Sequence, residues 1–177
     1  NLANLDGQSS LKSFLKEKIN QLEEILDAIS TIDEVTKKTV SKVLTLGEIL
    51  SSNIIFEILK QKGFDISYLN SQELIYTKVL NNNEILDTEK SSINIKNKFD
   101  NIDSRVMIAP GFICSNDSNE ISNLGRGGSD YSASIFAKYC NAKSLEIWTD
   151  VSGVFSANPK IVEKASPIEF LSYKEAM

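Results

Sequence analysis

Between a strand-like segment and a buried helical pattern the chain carries Leu124-Gly125-Arg126-Gly127-Gly128-Ser129-Asp130-Tyr131. Glycines placed this way let backbone N–H groups approach an anion closely and aim the N-terminus of the next helix at it. Ala133, Ile135, Phe136, Ala137, Tyr139 and Cys140 then fit one buried helix, and Leu145 to Trp148 reads as a strand. Upstream, Arg105 to Ile113, interrupted by Pro110-Gly111, reads as a strand that turns and continues, and Ser115 to Asn119 has the polar chemistry of a hairpin turn. This helix-to-strand succession predicts an α/β fold with a mostly parallel sheet covered by helices. The glycine run also has a plain structural reading, because Ser129 and Asp130 are natural N-cap types. Arg126 adds chemistry to it, since a guanidinium grips a carboxylate with two parallel hydrogen bonds.

The first half is simpler. From Ser10 to Ser30, Leu11, Phe14, Leu15, Ile19, Leu22, Ile25, Leu26 and Ile29 recur at three- and four-residue steps, which predicts an amphipathic helix. A second helical pattern runs from Val35 to Leu44, and a third from Ile49 to Lys62 stops at Gly63. That division places Glu48 at a helix start, where a carboxylate favours the helix dipole whatever its function. Phe64 to Leu69 alternates as a strand would, and Asn81 to Lys98, rich in Asn, Ser, Lys and Glu, reads as a loop-rich surface insertion.

Composition removes several classes of function. The 177 residues are 41% hydrophobic and 24% charged, enough for one sizeable core. A formal net charge of −5 repels a nucleic-acid backbone. No apolar run approaches the roughly 20 residues that span a bilayer, so the expectation is a soluble, cytoplasmic protein without a membrane partner. Cys114 and Cys140 form neither a disulfide framework nor a thiolate zinc site and read as reduced packing residues. With no histidine in the chain, Ser-His and Cys-His nucleophiles and His-based metal sites are excluded. Chemistry falls to carboxylates, Lys, Arg, hydroxyls and backbone N–H groups. The chain opens on Asn1 and closes on Met177, inside a helical pattern starting near Ser172, so it reads as an excerpt of a longer polypeptide.

A second constellation is Glu146 to Phe155, where a strand ends in Thr149-Asp150 before a turn containing Gly153. Ligands of open α/β sheets bind beyond such strand ends, although Thr-Asp is also an ordinary turn opener. Lys160 follows in Asn158-Pro159-Lys160 and could meet phosphate oxygens or remain a solvated charge. Taken in order, Gly111-Phe112-Ile113, Leu124 to Ala133, Glu146 to Phe155 and Asn158 to Val162 resemble aspartokinases of the amino acid kinase superfamily. Leu46-Gly47-Glu48 followed by Ser51 or Ser52 resembles that family's Gly-Glu-x-x-Ser segment, and Leu171 to Met177 the start of its next helix. The Leu-rich helix and its distance from Glu48 look most like the kinase portion of bifunctional aspartokinase/homoserine dehydrogenases.

The resemblance implies a three-layer αβα amino acid kinase fold, incomplete here, with residues 1–110 mainly serving the amino-acid substrate and residues 111–177 supplying the substrate loop and the start of the nucleotide-binding part. It implies transfer of the γ-phosphoryl group of ATP, with Mg2+ carried by the nucleotide, to the β-carboxylate of L-aspartate. That reaction opens lysine, threonine and methionine biosynthesis, in a protein expected to be a homo-oligomer. By the same resemblance Arg126 clamps a substrate carboxylate, Glu48 takes the substrate ammonium, and Gly127, Gly128 and Ser129 donate beside it. Phe112 walls the pocket, and Asp130 matches the carboxylate that orients a catalytic lysine. Thr149 and Asp150 meet the nucleotide, with Phe155 against the adenosine and Lys160 near the phosphates.

The chain departs from the family pattern in several places. Phe155 stands where many members have Tyr and Lys160 where many have Arg, and neither the family's Lys-Phe-Gly-Gly strand nor its Gly-Ala-Lys segment is present. Negligible transfer by these residues alone is therefore expected, as is an unpaired sheet edge where that strand would lie. Other amino acid kinases, acting on acetylglutamate, glutamate, carbamate or UMP, share the fold and remain rivals. So do a non-catalytic module that binds amino acid or nucleotide, and a plain structural domain.

Overall fold

In the computed structural model, which describes residues 5–81 and 83–176, the amphipathic pattern of the N-terminal segment forms α1, Leu5–Ile32. It packs along α2, Lys37–Gln61. Thr36 caps α2, its hydroxyl accepting the Thr39 N–H at 3.1 Å, and Gly63, at φ +82°, follows its end. The helix runs straight through Gly47, so the expected division into two helices is wrong and Glu48 is a mid-helix residue. A helical glycine costs only about 1 kcal/mol relative to alanine. Burial of Thr45, Leu46 and Ser52 on either side of it outweighs that penalty.

The chain divides into two compact units, Asn1–Leu145 and Glu146–Met177. In the first, β1 (Ile66–Tyr68) pairs in parallel with β4 (Val106–Ile108). Two hairpins, β2–β3 (Thr77–Leu80 with Asn83–Leu86) and β5–β6 (Ile113–Ser115 with Ile121–Asn123), are antiparallel, as short connections require. Among the described residues the expected parallel character thus appears where distant segments meet, in β1–β4 and in a bridge between Tyr76 and Ser115. The β5–β6 turn is closed as its sequence predicts, with Asn116 Oδ1 accepting the N–H groups of Ser118 and Glu120.

The stretch expected to be a loop-rich insertion is instead β3 followed by α3, Thr88–Asp100. Asp87 caps α3 by accepting the Lys90 N–H, and the helix buries Ser91 and Ile95. A single apolar stripe suffices for a helix whose other faces are solvated. Ile95 joins Leu69, Leu74, Ile75, Cys114, Ile135 and Tyr139 in one core, the last two supplied by α4, Gly128–Tyr139. No helix among the described residues is long and apolar enough to cross a membrane.

The second unit is mostly irregular. Leu145 to Trp148 is not a strand: it has no ladder partner among the described residues, and Leu145, Ile147 and Trp148 are exposed. Apolar residues alone do not make a strand without an edge to bond to. A bridge between Phe155 and Pro167 and a short helix α5, Tyr173–Ala176, are its regular features. Ser172 and Glu175 form a reciprocal capping box at α5, while Met177 lies outside the described residues.

Candidate functional site

The glycine run sits where three elements of the first unit meet. Gly111 approaches α4 so closely that a Cβ on it would lie 3.1 Å from the Cα of Ser129, and a Cβ on Gly128 would lie 2.8 Å from Cδ2 of Phe112. These two glycines let the first turn of α4 rest flush on the Pro110–Phe112 turn. Phe112 itself has φ +69°, and the Ile113 N–H bonds Gly111 O at 2.7 Å around it, the geometry of a strained γ-turn. Three bonds hold that turn. The Phe112 N–H donates to Ser132 Oγ at 2.7 Å, the Ser132 hydroxyl donates to Gly128 O at 2.7 Å, and Ser71 Oγ donates to Pro110 O at 2.5 Å.

Gly127, at φ +73°, is the N-cap of α4 and makes no side-chain cap. Ser129 and Asp130, natural N-cap types in the sequence, stand instead inside the first turn. The Gly128 N–H bonds Gly125 O and the Tyr131 N–H bonds Gly127 O. Among the described residues no acceptor takes the N–H groups of Ser129 and Asp130. They add to the positive end of the helix dipole.

An open cleft of about 310 Å³ lies over this turn. Its walls are Glu48 and Leu44 from α2, Phe112, Gly125, Gly127, Gly128, Ser129 and Asp130. Glu48, half-buried, therefore reaches the glycine loop across a long sequence separation, a carboxylate facing a helix N-terminus. Arg126 does not line the cleft. It is exposed between two lining glycines and makes no ion pair among the described residues. No lysine or arginine lies in the lining, and no lysine pairs with Asp130.

The nucleotide-side candidates belong to the second unit. Thr149 Oγ1 accepts the Val151 N–H at 3.1 Å, forming a local turn around exposed Asp150. Phe155 is half-buried and bridged to Pro167, and Gly153 just before it takes φ +112°. The Lys160 N–H donates to Asn158 Oδ1 at 3.0 Å and its side chain is exposed. Among the described residues no group of three or more His, Cys, Asp or Glu side chains could hold a metal ion.

Two contributors went unseen in the sequence. Leu44, 52% exposed although apolar, carried a weak signal one helical turn before Glu48, the position that shares its face. Ser132, 1% exposed, carried none, because its role depends on contact with residue 112.

The amino acid kinase family model matches residues 6–177. The chain belongs to the amino acid kinase family. Over 168 residues it is 33% identical to a bifunctional aspartokinase/homoserine dehydrogenase of Buchnera aphidicola, covering 94% of this chain and 20% of that protein. Among solved structures, Clostridium acetobutylicum aspartate kinase is 29% identical with a TM-score of 0.67, over 90% of this chain and 33% of its own. E. coli aspartokinase III in complex with aspartate and ADP has a TM-score of 0.69 at 20% identity, over 94% of this chain and 42% of its own, a likeness of fold. This amino acid kinase chain thus spans about a fifth of the bifunctional relative's length. Its α/β fold is that of part of an aspartate kinase.

Proposed function

We propose that this chain forms the aspartate-binding part of an ATP-dependent aspartate kinase, together with the opening of its nucleotide-binding part. The observation that carries the reading is the cleft in which Glu48 of α2 faces the Phe112 turn and the N-terminus of α4. A carboxylate opposite a cluster of backbone donors is complementary to a zwitterion: the substrate ammonium pairs with Glu48 and a substrate carboxylate meets the Ser129 and Asp130 amides. Arg126, exposed between two lining glycines, adds a bidentate grip on that carboxylate. The relatives named aspartokinase support aspartate as the amino acid.

The chemistry suits a chain without histidine. A β-carboxylate is ionised at neutral pH and needs no base, so an oxygen of it attacks the γ-phosphorus while the bond to the β,γ-bridging oxygen breaks and ADP leaves. Catalysis is then positioning plus neutralisation of charge. Because the cleft lining holds no Lys or Arg, these residues supply the acceptor pocket, and transfer by them alone is negligible. Thr149, Asp150, Phe155 and Lys160 contribute to holding MgATP. The reaction belongs to lysine, threonine and methionine biosynthesis, in a cytoplasmic homo-oligomer of the bifunctional type that carries a homoserine dehydrogenase.

Calorimetric titration with L-aspartate tests this reading. Saturable binding of the L but not the D isomer is expected, weakened about tenfold or more by Glu48→Gln, as loss of a charge-assisted contact implies. Absence of binding by the folded chain, or binding indifferent to Glu48→Gln, overturns it.

A further inference from the structure

A second cavity of the first unit lies apart from the Glu48 cleft. It measures about 550 Å³ and lies between α1, α2 and the β5–β6 turn, within the roughly 300–1,000 Å³ typical of small-ligand sites. Its floor is apolar, built from Ile25 of α1, Leu46 and Ile49 of α2, and Ile121 of β6. Over that floor stand Lys38 and Lys42 of α2, and Glu120 of the hairpin turn. Lys38 and Glu120 are ion-paired. The Lys38 ammonium holds Glu120 below its ordinary pKa, helped by the Asn116 side chain and least by Lys42.

With Lys38 engaged by Glu120, Lys42 stands without an ion pair among the described residues beside the apolar floor. The remaining lining lysine, Lys18, turns to Glu17 and Gln21, at 3.2 Å from each. Glu24, also in the lining, makes no ion pair among the described residues.

We propose that this cavity binds a small carboxylate carried on a branched apolar body, its anion at Lys42 and its body on Ile25, Ile49 and Ile121. The site is separate from the Glu48 cleft but shares α2 with it. Lys42, Thr45, Leu46 and Ile49 follow one helical stripe into the cavity, while Leu44 and Glu48 follow the neighbouring stripe into the cleft. The free carboxylate of Glu24 gives the cavity a means of telling an α-amino acid from a simple acid, through the ammonium group.

Titration of the isotopically labelled chain with 4-methylpentanoate and, separately, with L-leucine, followed by amide chemical shifts, tests the proposal. Saturable shifts are expected at Ile25, Ile49 and Ile121, weakened about tenfold by Lys42→Gln, a solvent-facing change that leaves the fold intact. If leucine binds more tightly and Glu24→Gln removes its advantage, the ligand is an amino acid. If leucine binds no better, it is a simple carboxylate. No saturable shift at these residues with either compound, or shifts unaffected by Lys42→Gln, overturns the proposal. The result is independent of the aspartate reading, because Glu48→Gln leaves this cavity unchanged.

Discussion

The amide of Phe112 and the hydroxyl of Ser132 lie 2.7 Å apart, and through that bond a residue in a strained turn is tied to the helix beginning at Gly128. Since the Ser132 hydroxyl itself donates a hydrogen bond to Gly128 O, one buried hydroxyl fixes both walls of the cleft relative to each other.

Replacing Ser132 with alanine leaves the Phe112 N–H without its acceptor. The expected cost is about 1–3 kcal/mol in urea unfolding, together with weaker L-aspartate binding by calorimetry. Ser122→Ala supplies the control. It removes another buried hydroxyl, one bonded to Glu84, and should lower stability without changing affinity.

Gly127 and Gly128 should respond to alanine for different reasons. At Gly127 the φ of +73° makes the change a matter of backbone strain, with nothing near the added Cβ. At Gly128 the new Cβ meets the Phe112 ring at 2.8 Å, although alanine inside a helix would otherwise gain up to about 1 kcal/mol. Gly128→Ala is therefore expected to displace Phe112 and abolish L-aspartate binding, with a lowered melting temperature as the second readout.

Burial pushes the Cys114 thiol up to about 11 from 9.0 and raises that of Cys140 as well. Cys114 is fully buried while Cys140 is half-buried, so alkylation of the native protein near pH 8 should mark Cys140 first and Cys114 only on unfolding, as peptide mass mapping would show. Between pH 9 and 11 the folded chain retains a proton at Cys114 that the unfolded chain has released. Stability should therefore fall as pH rises through that window, and Cys114→Ala should flatten the fall.

Asp87 caps α3 and also lies 3.7 Å from the Lys78 ammonium. Asp87→Ala should cost about 1 kcal/mol, mostly as the lost cap, because an exposed ion pair contributes little. Thermal unfolding in low and high salt separates the two contributions.

What the sequence discloses is what local chemistry decides. The repeat from Leu11 to Ile29 is long enough for its period to be unambiguous, and α1 follows it. Asn116 and Asn119 announce the β5–β6 turn because they bond or bend their own backbone. Gly47 misleads, because its penalty is local whereas the burial of Thr45, Leu46 and Ser52 that overrides it is not. The same holds for α3, whose Asn- and Lys-rich surface hides Ile95, and for Leu145 to Trp148, apolar without a partner strand here. Within the cleft, the glycine run is legible because close backbone approach demands glycine. Leu44 and Ser132 become visible only once residues far apart in sequence are brought together.

The second unit holds the only tryptophan of the chain, Trp148, which is 89% exposed and immediately precedes Thr149 and Asp150. Its fluorescence therefore belongs to that unit alone and starts at the water-exposed, long-wavelength extreme, so any covering of the segment shifts emission toward the blue against a silent background from the cleft. Nature has left a built-in optical reporter beside Thr149 and Asp150, and the covering of that segment can be followed without a label.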